Sequence, residues 1–524
     1  MREYLNNLDS QIRDCETMLP DDSVDILGVI EKNAKDYTQE EKQEISNSLF
    51  DIAEGTRWRV CIPTCFIAVD ISQTSDNMNR LLNIIYSKSD EIPADTLFAL
   101  AAQCGARLFR FPVLMSLDNK YYSWLIFRKV ISKFEEMLGE DVMAPVPREQ
   151  RNEGLVFVFT SQYLSMTHGP TKTALDRCEV LIKKYHKKVM LINTAECLSQ
   201  KGIISMRNVF EPMYYPELCE LEQIEYRGVS IPFFQCNNDM PNVDVIRLIL
   251  NLVKNKKPEY VINIGGNDVT SNLVASTIPA ITVGLGPSDF TTTTAACQTI
   301  SRAITENDYA LLDRLDIPRW HLIPAVFTSS LLGQSMKLTR EDIGVPQEAF
   351  LAGIVGARLT SDMSDDFLKM IAEAGEKYNV CYLVMGKFDY DDGVDRIFRK
   401  YPSLKDRLHY VGFVSDTLAY LELCDIYINP TRMGGGTAAI EALYKSCPVL
   451  TTNFGDTSTG VGSDFLTESY ETMLELIGKY VNDDGYLKEM SVKAKERAMI
   501  MLDSSTNFSK IIDSFEKVII DYQL

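Results

Sequence analysis

The residues best placed to do chemistry run from Asp425 to Thr452. Ile426-Tyr427-Ile428 is a short apolar run that predicts a buried parallel strand, and Asn429-Pro430 ends it. Gly434, Gly435 and Gly436 follow, Thr437 opens a helical pattern, and Pro448-Val449-Leu450 returns to a strand. Glycines let a backbone approach an anion closely and adopt positive φ. The first N–H groups of a helix have no internal partner, and the helix dipole favours negative charge there. Thr437 and Glu441 are four residues apart and share one helix face. A carboxylate one turn into a phosphate site suits sugar hydroxyls better than phosphate. The expected ligand is therefore a nucleoside diphosphate whose ribose diol meets Glu441. The competing reading is a plain strand-to-helix turn, with glycines for tight packing. The spacing is neither the Gly-Lys-Ser/Thr phosphate loop nor the G-x-G-x-x-G dinucleotide turn.

Other chemistries find less support. The chain has twelve cysteines, no C-x-x-C pair and four histidines, so metal-ligand spacing is absent and no metal site is expected. Asp391-Asp392 lies near Lys387 but reads as a loop. A net charge of −20 repels phosphate backbones and argues against nucleic acid. Scattered cysteines in apolar segments suit a reducing cytosol. The chain opens on a polar, acidic segment, and no window approaches an 18-residue apolar run, so neither a signal peptide nor a membrane span is expected. The expected station is cytoplasmic, with the inner face of the membrane as an alternative.

The elements that must position these residues fall into three parts. Residues 1–150 read as mainly helical, with Thr74 capping one helix and another opening at Pro93 and ending at Gly105. Cys61 to Val69 is a short apolar run that predicts a strand. Tyr121, Tyr122, Trp124 and Phe127 form an aromatic stripe assigned to core. Ala144-Pro145-Val146-Pro147 reads as a linker. Residues 151–335 and 336–524 each alternate strands and helices, which implies two doubly wound parallel sheets. An amphipathic helix over 508–522 is expected to return toward the first sheet domain. Ligands sit beyond the carboxyl ends of strands in such sheets. The residues at those ends are His168, Asn267, Asp268, Arg358, Lys387, Ser415 and the glycine loop, facing one cleft.

Residues 350–455 resemble the GT-B-fold glycosyltransferases, most nearly the bacterial glycosyltransferase 4 kind. The stretches that carry the likeness are IVGARLTSDMSDDFL, YLVMGKFD, LHYVGF and CDIYINPTRMGGGTAAIEALYKSCPVLTT, in that order. The resemblance implies two Rossmann-like domains facing a cleft, with residues 1–150 as an added helical extension. It implies that Arg358 holds the donor diphosphate, where a guanidinium fork matches phosphate oxygens. It gives Gly435, Gly436 and Thr437 to the distal phosphate, Glu441 to the ribose, and the main chain of Gly434 or Gly435 to the donor sugar. Val411, Phe413 and Val414 frame the base, and His168-Gly169 matches the first domain's loop toward donor and acceptor. The family's E-P-F-G is here Thr431-Arg432-Met433-Gly434, so the first acidic residue of its glutamate pair is missing. Its lysine after the arginine has no counterpart, and Lys387 and Arg432 are the substitutes. With His168 and Arg358, Lys387 completes the expected catalytic set; Asn267 and Arg432 join the donor site.

The implied function is metal-independent sugar transfer from a nucleotide-sugar, with uridine diphosphate as the nucleotide. The acceptor is a hydroxyl on a glycan, lipid-linked sugar or protein. No cofactor is implied beyond the substrate itself. The alternative is a non-catalytic GT-B partner subunit that binds acceptor or stabilises a catalytic chain. A nucleotide-sugar epimerase is a third reading, disfavoured by the few histidines. Residues 1–150 read as a separate module that chooses acceptor, twin subunit or partner, or as a brace.

Overall fold

The computed structural model describes residues 1–12, 21–34, 37–166, 168–197, 199, 201–202, 213–286, 290–331, 333–388 and 393–521. Asp391-Asp392 and Tyr522 lie outside the described residues.

The first sheet contains β1 (Asn152–Thr160), β2 (Lys188–Asn193), β3 (Gln223–Tyr226), β4 (Val229–Gln235), β5 (Pro258–Ile264), β6 (Ala280–Val283), β7 (Cys297–Ile300) and β8 (Leu322–Pro324). Their order is β3-β4-β2-β1-β5-β6-β7-β8, parallel except where β3 meets β4. The second sheet contains β9 (Phe350–Gly356), β10 (Val380–Gly386), β11 (Leu408–Gly412), β12 (Ile426–Ile428), β13 (Val449–Thr452) and β14 (Leu466–Thr467). Its order is β11-β10-β9-β12-β13-β14, all parallel. Parallel strands covered on both faces read as unbroken apolar runs. Val380–Gly386 is buried at every position.

Strand order reverses between β1 and β5 in the first sheet and between β9 and β12 in the second. Chains leaving such neighbours diverge to opposite faces and open a crevice at the carboxyl edge. His168 follows β1 and Asn267 follows β5; Arg358 follows β9 and the glycine loop follows β12. Topology alone therefore delivers these residues to the two crevices.

Helix Ser504–Asp521 lies on the first sheet. Its Phe508, Ile511, Ile512 and Phe515 share a core with Val156, Val158, Tyr260 and Ile262. The Phe515 ring meets Tyr260 edge-on at 5.6 Å. The link between the sheets is tied down by Asp416, which accepts hydrogen bonds from Ser335 N at 2.6 Å and Met336 N at 2.9 Å.

Three expectations for residues 1–150 need correction. Cys61 to Val69 is not a strand but part of helix Trp58–Ser72, nearly all of it buried. A short apolar run has the same signature in a buried strand and in a helix buried on every side. The helix opening at Ala94 does not stop at Gly105 but continues to Arg110. A mid-helix glycine costs only about 1 kcal/mol. Burial of Leu108, and of Arg107 paired bidentately with Asp70 at 2.7 Å, outweighs it. Nor is the helical part separate: Ile126, Phe127, Val130 and Phe134 join one core with Phe157 and Phe159 of β1 and Val261 of β5. Trp124 packs on Leu311 and Leu315. Val146, inside the expected linker, donates its N–H to Thr277 O at 2.9 Å.

Candidate active site in the cleft

The site is built on the loop after β12. Gly434 and Gly435 both take φ near +85°. At Gly435 a Cβ would meet Arg432 Nη2 at 2.8 Å and Asn429 Oδ1 at 3.0 Å, so conformation and space both require glycine. Helix Gly436–Tyr444 starts there with no side-chain cap. Its first amide groups are left for a ligand. Glu441 stands one turn in, half-buried, its carboxyl pushed up by burial and by Asp416 and held back by Lys172.

Arg358 lies on the rim of this loop. Its Nη2 donates to Met433 O at 2.8 Å and sits 3.7 Å from Asp362 Oδ1. Its side chain stays 41% exposed, enough to turn toward a ligand. The Phe109 ring, from the helical extension, lies 5.5 Å from its guanidinium.

The opposite wall is helix Gly169–Lys183. His168 is its N-cap, again without a side-chain cap bond. A Cβ on Gly169 would stand 3.4 Å from Thr437 Oγ1, so the two helix ends nearly touch. Lys172 Nζ lies 3.9 Å from Glu441 Oε1 across the cleft. Burial, with Lys172 second, pulls His168 down to about 4, so its ring is neutral near pH 7. Its Nδ1 is 3.1 Å from Thr171 Oγ1.

Two uncapped helix ends, an arginine and a carboxylate thus meet in one cleft. Residues 350–483 match the family model described as Glycosyl transferases group 1. An O-GlcNAc transferase point mutant from Thermobaculum terrenum superposes with a TM-score of 0.54 at 12% identity, over 98% of this chain and 97% of that one. A glycosyltransferase from Rickettsia africae gives a TM-score of 0.50 at 14% identity, over 70% of this chain and 99% of that one. No curated protein sequence matches the chain. The chain has the GT-B fold, and the family match lies within its second sheet domain. The family match supports glycosyl transfer as its activity.

Within the GT-B cleft, the structure brings together Arg358, Gly434, Gly435, Gly436, Thr437, Glu441, His168 and Gly169. Arg432 is not among them. It is buried under the loop, donating to Asn429 Oδ1 at 3.0 Å, Asp362 Oδ2 at 2.7 Å and Val355 O at 2.6 Å. Its charge is consumed by the buried Asp362, so it shapes the loop rather than facing a donor. Lys387 is exposed beside the Arg358 turn, its backbone tied to Gly356 and Leu359. Val411 and Val414 are half-buried at the end of β11, and Phe413 projects at 77% exposure. Asn267 is exposed, with φ +53°, and its side chain makes no hydrogen bond among the described residues.

Asp268 is spent on the fold. It caps helix Val269–Ala275, accepting from Ser271 N at 2.8 Å. Buried Glu196 closes the same helix end, accepting from the N–H groups of Val269 and Thr270. Burial and the neighbouring Asp268 push Glu196 up to about 8. Sequence reasoning missed Lys172 and Phe109. A lysine in a polar run and a phenylalanine at a helix end carry no local mark. Among the described residues, no helix is long and apolar enough to cross a membrane, and no three His, Cys, Asp or Glu are grouped to hold a metal ion.

Proposed function

We propose that the chain transfers a sugar from a uridine diphosphate sugar to an acceptor hydroxyl without a metal ion. The observation that carries this is the uncapped helix end at Gly435 to Thr437, open to the cleft with Arg358 on its rim and Glu441 one turn in. The diphosphate meets the amides and Arg358; the ribose diol meets Glu441. The bond between the anomeric carbon and the distal phosphate oxygen breaks, and its electron pair stays on that oxygen. Amide dipoles and a guanidinium already aimed there stabilise the new charge without reorganising. The acceptor oxygen bonds to the anomeric carbon and gives its proton to His168. In the tautomer whose Nδ1–H donates to Thr171, Nε2 is the accepting atom. A ring near 4 is a weak base, but a bound diphosphate raises its proton affinity, because nearby negative charge favours imidazolium.

The test is uridine diphosphate binding by calorimetry and release of uridine diphosphate from its N-acetylglucosamine and glucose conjugates, with EDTA present. N-acetylglucosamine comes first because the Thermobaculum protein is named for it. Wild type should bind and turn over, and Glu441→Ala should lose roughly tenfold or more in affinity, as for a lost charged hydrogen bond. No binding by wild type, or equal binding by Glu441→Ala, would overturn the reading. Activity lost to EDTA and restored by magnesium would overturn its metal-free part.

A further inference from the structure

Lys172 lies one turn into helix Gly169–Lys183 and is only 3% exposed. An ammonium carries three donors and is costly to bury without partners. Among the described residues, its ion-pair partner is Glu441, and 3.9 Å is too long for a hydrogen bond. The uncapped ends of helices Gly169–Lys183 and Gly436–Tyr444 add positive potential to the same gap. Glu441 therefore faces a buried cation close to two helix ends. On the second domain Arg358 is a partly exposed cation at the glycine loop, whereas Arg432 is locked to Asp362.

We propose that Lys172 is the second cation of the donor site, reaching from the first domain to the distal phosphate, and that donor binding exchanges the Lys172–Glu441 pair for Lys172–phosphate and Glu441–ribose contacts. This rests on the donor site described above. The exchange gives Lys172 a phosphate in place of a carboxylate, and gives the Glu441 carboxylate two hydroxyl donors in place of the ammonium. It also ties the two domains together through the substrate, because the phosphate then contacts both walls.

The experiment is calorimetry of uridine diphosphate and of uridine on wild type, Lys172→Met and Lys172→Arg. Lys172→Met should lose about tenfold or more in diphosphate affinity, as for one charged contact. It should bind uridine as well as wild type or better, because Glu441 is released. Lys172→Arg should recover much of the loss. Equal diphosphate affinity in wild type and Lys172→Met would sink the role of Lys172 and leave the donor site standing. Failure of wild type to bind either probe would sink the donor site, and this proposal with it. Should Lys172→Met not fold, the neutral pair Lys172→Met/Glu441→Gln is compared with Glu441→Gln alone. A further drop in diphosphate affinity supports the proposal, and none overturns it.

Discussion

Two kinds of helix end meet the carboxyl edges of these sheets. Helices Gly169–Lys183 and Gly436–Tyr444 begin with no side-chain cap and face each other across the cleft. Helix Val269–Ala275 begins under two buried carboxyls, Asp268 and Glu196. All three follow a strand through a loop, and two of those loops are rich in glycine. What separates them is whether the protein has supplied its own anion. Where it has, the amides are satisfied and the end is structure. Where it has not, the amides and a buried lysine wait for charge from outside. The glycines alone do not distinguish the two cases; the acids do.

The sharpest way to break the comparison is to turn an open end into a closed one. Thr437→Asp puts a carboxylate in the first turn of helix Gly436–Tyr444, beside Lys172. The helix should gain roughly 0.3–1 kcal/mol, because the dipole favours the charge. Affinity for uridine diphosphate should fall about a hundredfold, from lost amide contacts and repulsion worth ~3 kcal/mol. A melting temperature at or above that of wild type, with binding abolished, is the expected pair of readings. Retained binding would mean the phosphate lies elsewhere.

The two kinds of end should also answer pH with opposite signs. Glu196 is raised from 4.5 to about 8 in the folded chain, so the folded state holds a proton that the unfolded state has lost. Its contribution is fully present below 4.5 and is lost as pH rises through 8. His168 is lowered from 6.5 to about 4, so its contribution is present above 6.5 and is lost as pH falls through 4. Between pH 5.5 and 7.5, wild type should lose about 2 kcal/mol relative to Glu196→Gln, at ~1.4 kcal/mol per unit less an allowance for coupling to Asp268. Urea unfolding at the two pH values measures it. Parallel curves for the two proteins would show that Glu196 stays charged.

Much of this was legible from the residues because the signals are local. The strand, three glycines, Thr437 and Glu441 stand within one short stretch, and a glycine loop between strand and helix has few meanings. Arg358 was legible from its place after β9. Arg432 was misread because an arginine in a glycine-rich loop looks like an anion ligand; its partner Asp362 is distant in sequence and shares no pattern with it. Lys172 was invisible for the same reason, since its partner Glu441 stands in the second domain, distant in sequence. Helix Trp58–Ser72 misled because periodicity carries no information in a segment buried on all sides. The core shared between residues 1–150 and β1 also had no local sign, because each amphipathic helix shows that it must bury a face but not against what.

Arg358→Lys tests the rim of the open end with a smaller change. Lysine keeps the charge and loses the fork that reaches Met433 O. The side chain is substantially exposed and its contact with Asp362 is long, so stability should barely move. Turnover should fall about tenfold, as for one fewer oriented contact in the transition state. Equal turnover would remove the bidentate role.

The smallest effect should come from opening the closed end. Asp268→Ala removes the side chain that accepts from Ser271 N and Ser271 Oγ. Loss of a cap costs about 1 kcal/mol. Here the cost is partly offset, because Asp268 is also the charge that repels Glu196. With it gone, Glu196 ionises more readily and still accepts from Val269 and Thr270, so one acid takes over part of the other's work. The net loss should therefore fall below about 1 kcal/mol, and the pH at which the Glu196 contribution vanishes should move below 8. Uridine diphosphate affinity should not change, since this end already holds its own anion. A binding loss comparable to that of Thr437→Asp would place Asp268 in the ligand site and erase the distinction between the two kinds of helix end.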